Sequence, residues 1–265
     1  MIQKLSLLLI LLPTVYSNAQ ESTASKQVST FTIDAPQLHT TKKIWVYLPV
    51  NYSATAKKYP VLYMQDAQNL FDKKTAFSGE WNVDESLDSL KAQLIVIGVE
   101  HGNDKRTDEL TPYKNAKYGG GNADAYLEFI VKTLKPEIDK KYRTKTNAKN
   151  TGIMGSSLGG LVSYYAALKY PEVFGKAGVF SPSFWFSNDI YKLTEDTKKL
   201  KTKIYFLAGD SESDEMVPDM KRMEKLVDEK RCYCLHLSKE VIVKGGQHYE
   251  KLWREHFVNA YLWLF

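Results

Sequence analysis

Two uninterrupted apolar runs, LIVIGV at residues 94–99 and IYFLAG at 204–209, constrain this chain more than any other feature. A strand with one wet face alternates apolar and polar residues. A short run without alternation belongs to a strand covered on both faces. Six further runs rich in β-branched or aromatic residues read as strands, at 28–33, 43–48, 61–64, 151–154, 177–180 and 241–243. Between them lie segments of helical period. Val83, Leu87 and Leu90 share a face after Asn82. Tyr126, Phe129, Ile130 and Leu134 do so after Asn122 and before Pro136. Leu161, Tyr164, Tyr165 and Leu168 form a third face that stops before Pro171, and the last segment runs from 249 to 264. The two asparagines are the natural caps, and the prolines the natural stops. Strands alternating with helices in this order predict an α/β fold. Its mostly parallel sheet of about eight strands carries helices on both faces.

The first nineteen residues are read separately. Lys4 precedes LSLLLILLPTV, and Ser17-Asn18-Ala19 offers the small residues at which a signal peptidase cuts. Residues 1–19 therefore read as a signal peptide cleaved after Ala19, and the expected location is secreted or periplasmic. The apolar run is too short to span a bilayer, and no later segment approaches twenty apolar residues. With no cysteine near the cut, no membrane anchor is expected. Residues 20–265 contain no repeat and no dividing linker, so they read as one domain. The net charge of +5 is mild and its lysines are scattered, which argues against a nucleic-acid partner. Cys232 and Cys234 flank Tyr233: they are either a strained disulfide or two unpaired thiols. Nothing supplies the further ligands a metal would need there.

Chemistry enters at TGIMGSSLGG, residues 151–160. A strand runs into Gly155-Ser156-Ser157-Leu158-Gly159, and a helix follows. A serine forced onto so tight a turn has strained backbone angles, and residues two before and two after it approach too closely for side chains. Ser157 would thus stand clear of the sheet, with the Leu158 N–H placed to hold an oxyanion. Ser156 and Ser163 read as ordinary hydroxyls. A serine nucleophile needs a base, itself oriented by an acid, in the chain order serine, acid, histidine. Of the downstream histidines, His248 lies in a glycine-bearing loop between the last strand and the last helix, where an accessible imidazole is expected. His256 falls inside that helix and His236 in an ill-defined segment, while His39 and His101 precede the serine.

The acid should follow IYFLAG, in GDSESDE, where Asp210, Glu212, Asp214 and Glu215 crowd together and spacing alone does not choose. The GDS opening also marks another hydrolase group, which keeps an aspartate three residues before its histidine; position 245 is glycine, so that reading fails. The second oxyanion donor should come from the loop after the third strand, at Ala67 or Gln68. Trp81, Phe184 and Trp185 fall where such sheets bind ligands, and read either as substrate contacts or as rim packing. The run Tyr118-Gly119-Gly120-Gly121 lacks the residues of a phosphate loop and reads as a flexible turn.

Taken in order, KKIWVYLPVNY, YPVLYMQDAQNLFD, TPYKN, LKPEIDKKYRT, GIMGSSLGGLVSYYAALKYPEVFG, FSPSFW and GGQHYEKLWREHF resemble one esterase family of the α/β-hydrolase superfamily. Its members include feruloyl and acetyl-xylan esterases, siderophore esterases, S-formylglutathione hydrolase and mycolyl transferases. The resemblance covers roughly residues 30–265. It implies an α/β-hydrolase fold, Ser157 as nucleophile, His248 as base and Glu212 as acid. Glu212 is favoured because the family's acid tends to stand three residues after the glycine closing its strand; Asp210 is the rival. One departure is visible, since relatives commonly read His-Asp-Gly-Gln where this chain has Gln65-Asp66-Ala67-Gln68. The activity so implied is hydrolysis of carboxylic esters without metal or cofactor. Export and the aromatics favour acetyl or feruloyl groups on a polysaccharide. A siderophore (tri-catechol) esterase, an acyltransferase with the same triad and a non-catalytic binding module are the alternatives. Oligomeric state is not legible.

Overall fold

In a computed structural model, residues 21–230 and 237–265 are described. The leader, Cys232, Cys234 and His236 lie outside them. Eight strands form one sheet: β1 Val28–Ala35, β2 Thr40–Tyr47, β3 Val61–Gln65, β4 Ile95–Val99, β5 Thr151–Ser156, β6 Lys176–Phe180, β7 Lys203–Gly209 and β8 Ser238–Val243. Their spatial order is β1-β2-β4-β3-β5-β6-β7-β8. β2 runs antiparallel to both of its neighbours, and every pair from β4 to β8 is parallel.

The unbroken apolar runs are explained by what lies on each face. In β3, Val61 and Tyr63 point into one core, while Leu62 and Met64 point into the other. In β7, Ile204, Phe206 and Ala208 share the first core, and Tyr205 and Leu207 the second. The period of two is intact, but both of its faces are dry. The first core is closed by α3 (Ala123–Glu128), α5 (Leu158–Lys169) and α7 (Met216–Lys230), through residues such as Leu127, Leu161 and Met220. The second is closed by α1 (Val83–Ser89) and α8 (Glu250–Leu264), through Leu87, Leu252 and Phe257.

Three local expectations are corrected. Asn82 and Asn122 precede helices but make no side-chain cap bond; Asn82 sits in the left-handed region at φ 52°. Pro136 does not end its helix either. The chain passes from α3 through a π-helical stretch, Phe129–Leu134, into α4 (Lys135–Lys141), with Pro136 in its first turn. A wider turn ahead of a residue that lacks an N–H lets the helix continue past it. Finally, α2 (Arg106–Leu110), α6 (Asp189–Asp196) and α7 were not anticipated. In α7 the buried face is Met216, Met220, Met223 and Val227, a helical spacing carried by flexible methionines inside a highly charged segment.

Candidate active site

The carboxyl ends of the parallel strands bring the predicted residues together. Ser157 follows β5 with φ 57° and ψ −122°, a conformation that an L-residue holds only under strain. Its neighbours explain how the chain tolerates this. A Cβ on Gly155 would lie 2.5 Å from Gln65 Oε1 and 2.8 Å from the Gly159 carbonyl, so the turn closes only around glycine. The Ser157 N–H donates to the Phe180 carbonyl at 2.9 Å, which ties the turn to β6. Its Oγ lies 3.3 Å from Ser183 Oγ. Leu158 opens α5, and the first N–H groups of a helix have no partner within it.

Glu212 and His248 meet across two loops. His248 Nδ1 lies 2.6 Å from Glu212 Oε2; with the carboxylate ionised, the ring N–H is the donor. Oε1 of Glu212 accepts from the Gly209 N–H at 2.6 Å and the Ser181 hydroxyl at 2.7 Å. Ser181 in turn accepts from Trp253 Nε1 at 2.8 Å, and the Trp253 ring stands edge-on to the imidazole, centroids 5.2 Å apart. The Glu212 side chain is 1 % exposed and the imidazole 36 % exposed, so the acid is dry and the ring reachable. The two loops touch at their roots, because a Cβ on Gly209 would fall 2.2 Å from the Gly246 carbonyl oxygen.

Asp210 is placed differently. Its Oδ1 accepts from the Gly245 N–H at 2.6 Å, so it fastens the histidine loop rather than facing the ring. Asp214 and Glu215 are solvent-exposed.

Ser157 and His248 line one cavity of about 330 Å³, with Asp66, Asn69, Phe77, His101, Arg106 and Trp253 among its walls. After β3, Asp66 is left-handed at φ 56° and leads into a tight turn, Ala67–Asn69. Arg106 holds the Asp66 carboxylate with two bonds, Nε at 2.7 Å and Nη2 at 2.9 Å. This pairing was not foreseen; an aspartate after β3 and an arginine after β4 gave no signal at short range. Ser181 and Trp253 were also missed as contributors, although both sit in segments whose wording is distinctive. A second cavity of about 640 Å³ adjoins the first at His101 and is lined by Lys42, Lys43, Lys105, Glu100, Asp108 and Glu109. Burial pushes the His101 imidazole below its ordinary range.

Of the three aromatics considered as substrate contacts, two are in the core. Trp81 is 3 % exposed, stacked on Phe180 at 5.6 Å and 13° and tilted against Trp253. Phe184 is 1 % exposed among Tyr164, Tyr191 and Phe206. Their faces are already taken, which removes them from the substrate surface. Trp185 is 51 % exposed beside Tyr118, outside the residues that line the cavity, and Phe77 is 93 % exposed at the cavity wall.

Residues 35–264 match the model of a family described as "Putative esterase". The chain belongs to that esterase family. Its class of activity is carboxylic ester hydrolysis, and its fold is that of the α/β-hydrolase esterases. It is 30 % identical over 242 residues to the uncharacterized protein YbbA of Bacillus subtilis, covering 84 % of this chain and 92 % of that one. It is 28 % identical to an endo-1,4-beta-xylanase/feruloyl esterase of Xylanibacter ruminicola, over 64 % of this chain and 23 % of that protein. It is 29 % identical to the ferri-bacillibactin esterase BesA of Bacillus subtilis, over 55 % of each. The structure of the BES protein from Bacillus cereus superposes with a TM-score of 0.73 at 17 % identity, covering 92 % of this chain and 97 % of that one.

Proposed function

We propose that this chain is an exported serine esterase acting on acyl groups, acetyl or feruloyl, carried by carbohydrate. Ser157 attacks the ester carbonyl, His248 takes its proton and Glu212 orients the imidazole. The Leu158 N–H and an N–H of the Ala67–Gln68 turn receive the oxyanion. An acyl-enzyme forms as the alcohol leaves with the proton that His248 returns, and water, activated by the same ring, releases the acid. No metal or organic cofactor takes part. The Ser157 hydroxyl is turned to Ser183, and attack requires it to swing toward His248, which lines the same cavity.

The observation that carries the reading is the 2.6 Å contact between His248 and a dry Glu212, in the cavity that also holds a strained serine. A fluorophosphonate probe tests it. The probe should label the wild type, and peptide mapping should find it on Ser157; labelling elsewhere, or none, overturns the assignment.

Charge on the cavity walls supports the carbohydrate substrate. Lys42, Lys43 and Lys105 are matched by Glu100, Asp108 and Glu109, and Arg106 by Asp66 and Glu250. Such balanced walls suit a neutral glycosyl ester. A siderophore ester is the second reading, favoured by the likeness to BesA, but a highly anionic ferric tri-catecholate would find no excess of positive charge there. Turnover of feruloyl or acetyl xylan against ferric siderophores separates the two. Product analysis with added glycan acceptors separates hydrolysis from acyl transfer.

A further inference from the structure

Four carboxylates, Asp72, Glu80, Asp84 and Glu85, gather under the first described residues of the chain. Glu80, Asp84 and Glu85 each bring one oxygen within 4.8 Å of the others. Asp84 is completely buried and Glu80 is 5 % exposed, whereas Glu85 reaches the surface. Donors are scarce. The Ser25 N–H serves Asp84 Oδ2 at 2.6 Å, while Asp84 Oδ1 and Glu85 Oε2 are buried with no donor at all. The Thr23 hydroxyl has one proton for both Glu80 oxygens, at 3.3 and 3.2 Å, and for Asp72 Oδ1 at 3.4 Å. The Arg254 guanidinium donates to the Glu80 peptide carbonyl at 3.0 Å and acts on the carboxylate only through space. Asp72 is satisfied separately by Ser22, Thr23 and Lys74.

A buried carboxylate oxygen without a donor costs about 1–3 kcal/mol or more, and a buried charge must be paired. Among the described residues no side-chain cation bonds these carboxylates, and the N–H groups are too few to answer them. We infer that a Ca2+ ion sits among Glu80, Asp84 and Glu85, with the Thr23 hydroxyl as a further oxygen donor. Oxygen-only ligands, irregularly placed, suit a hard cation. Ca2+ accepts a variable set of oxygens, whereas Mg2+ demands a regular octahedron and keeps its water. Glu80 and Asp84 belong to segments far from Thr23 in sequence, so the ion would fasten the amino-terminal strap to the loop that carries Phe77 and Ser78 at the cavity wall.

The test compares the EDTA-stripped protein with and without 5 mM CaCl2. Calcium should raise the thermal midpoint by about 3 °C or more. MgCl2 should raise it by less. Tb3+ should luminesce through neighbouring Trp81 and be displaced by Ca2+. Asp84→Asn and Glu80→Gln should abolish both responses, and the more exposed Glu85→Gln should weaken Ca2+ binding about tenfold. If Asp84→Asn does not fold, Glu85→Gln carries the same comparison. Absence of any calcium response, an undiminished response in these variants, or an equal magnesium response would each overturn the assignment.

Discussion

Glu212 grips the His248 ring through one oxygen while the other is held by the Gly209 N–H and the Ser181 hydroxyl. Every lone-pair direction of the acid that matters for aim is thus occupied, and the carboxylate has no freedom to turn away. Glu212→Gln should lower kcat by about two to four orders of magnitude with KM little altered, because the tautomer and charge stabilisation are lost while the cavity stays. Ser157→Ala should lower kcat by about three to six orders of magnitude and leave the fold intact. Asp210→Asn, whose Oδ1 accepts from the Gly245 N–H and the Ser211 hydroxyl rather than facing the imidazole, should cost far less. Steady-state kinetics on a p-nitrophenyl ester ranks the three, and an Asp210 variant as damaged as the Glu212 one contradicts the assignment.

Trp253 acts on the imidazole from two directions, through its edge-on ring and through Ser181. Trp253→Phe keeps most of the ring packing but leaves the Ser181 oxygen without its donor. Turnover should fall about tenfold, with about 1 kcal/mol lost from stability. Denaturant titration beside kinetics measures both; an unchanged kcat would assign Trp253 to packing alone.

The Lys42–Glu109 ion pair is closed to solvent, with side chains 4 % and 5 % exposed and the ammonium 2.6 Å from both carboxylate oxygens. Removing one partner strands the other charge. Lys42→Ala should cost about 3–5 kcal/mol, whereas Lys42→Met combined with Glu109→Gln should recover most of it. Chemical denaturation of the single and double variants checks the inequality.

A pH effect follows from the acidic cluster when divalent ions are chelated. Burial, followed by the neighbouring Glu85, pushes Glu80 up to about 7 and Asp84 up to about 8. A carboxyl whose folded value is raised binds its proton more tightly in the native state, so its contribution is full below about pH 4 and is lost as pH rises through the folded value. Wild-type stability in chelator should therefore decline from about pH 4 to pH 8. Asp84→Asn should decline less and overtake the wild type near pH 8. Parallel stability curves for the two proteins would refute this.

The eight strands were legible because each is a short apolar or β-branched run bounded by turn residues, and the central strands, wet on neither face, leave little ambiguity. The serine turn was legible because its glycines are required sterically, as the Gly155 contacts with Gln65 and Gly159 demonstrate. Long-range pairings were not. Nothing local marks Asp66 for Arg106 or Lys42 for Glu109, residues separated by 40 and 67 positions. Burial of aromatics was equally opaque: Trp81 and Trp185 both sit in loops, yet one is stacked on Phe180 and the other faces water. Methionine-rich α7 escaped notice because charge dominates its composition.

The backbone contact between Gly209 and Gly246 leaves no room for a single methyl group. Glutamate and histidine therefore arrive as one prefabricated unit, and neither loop can lengthen at its root without unseating the other. Diversification toward new esters must come from elsewhere, along the exposed Phe77 margin of the cavity, where the chain can be rewritten while this unit stays as it is.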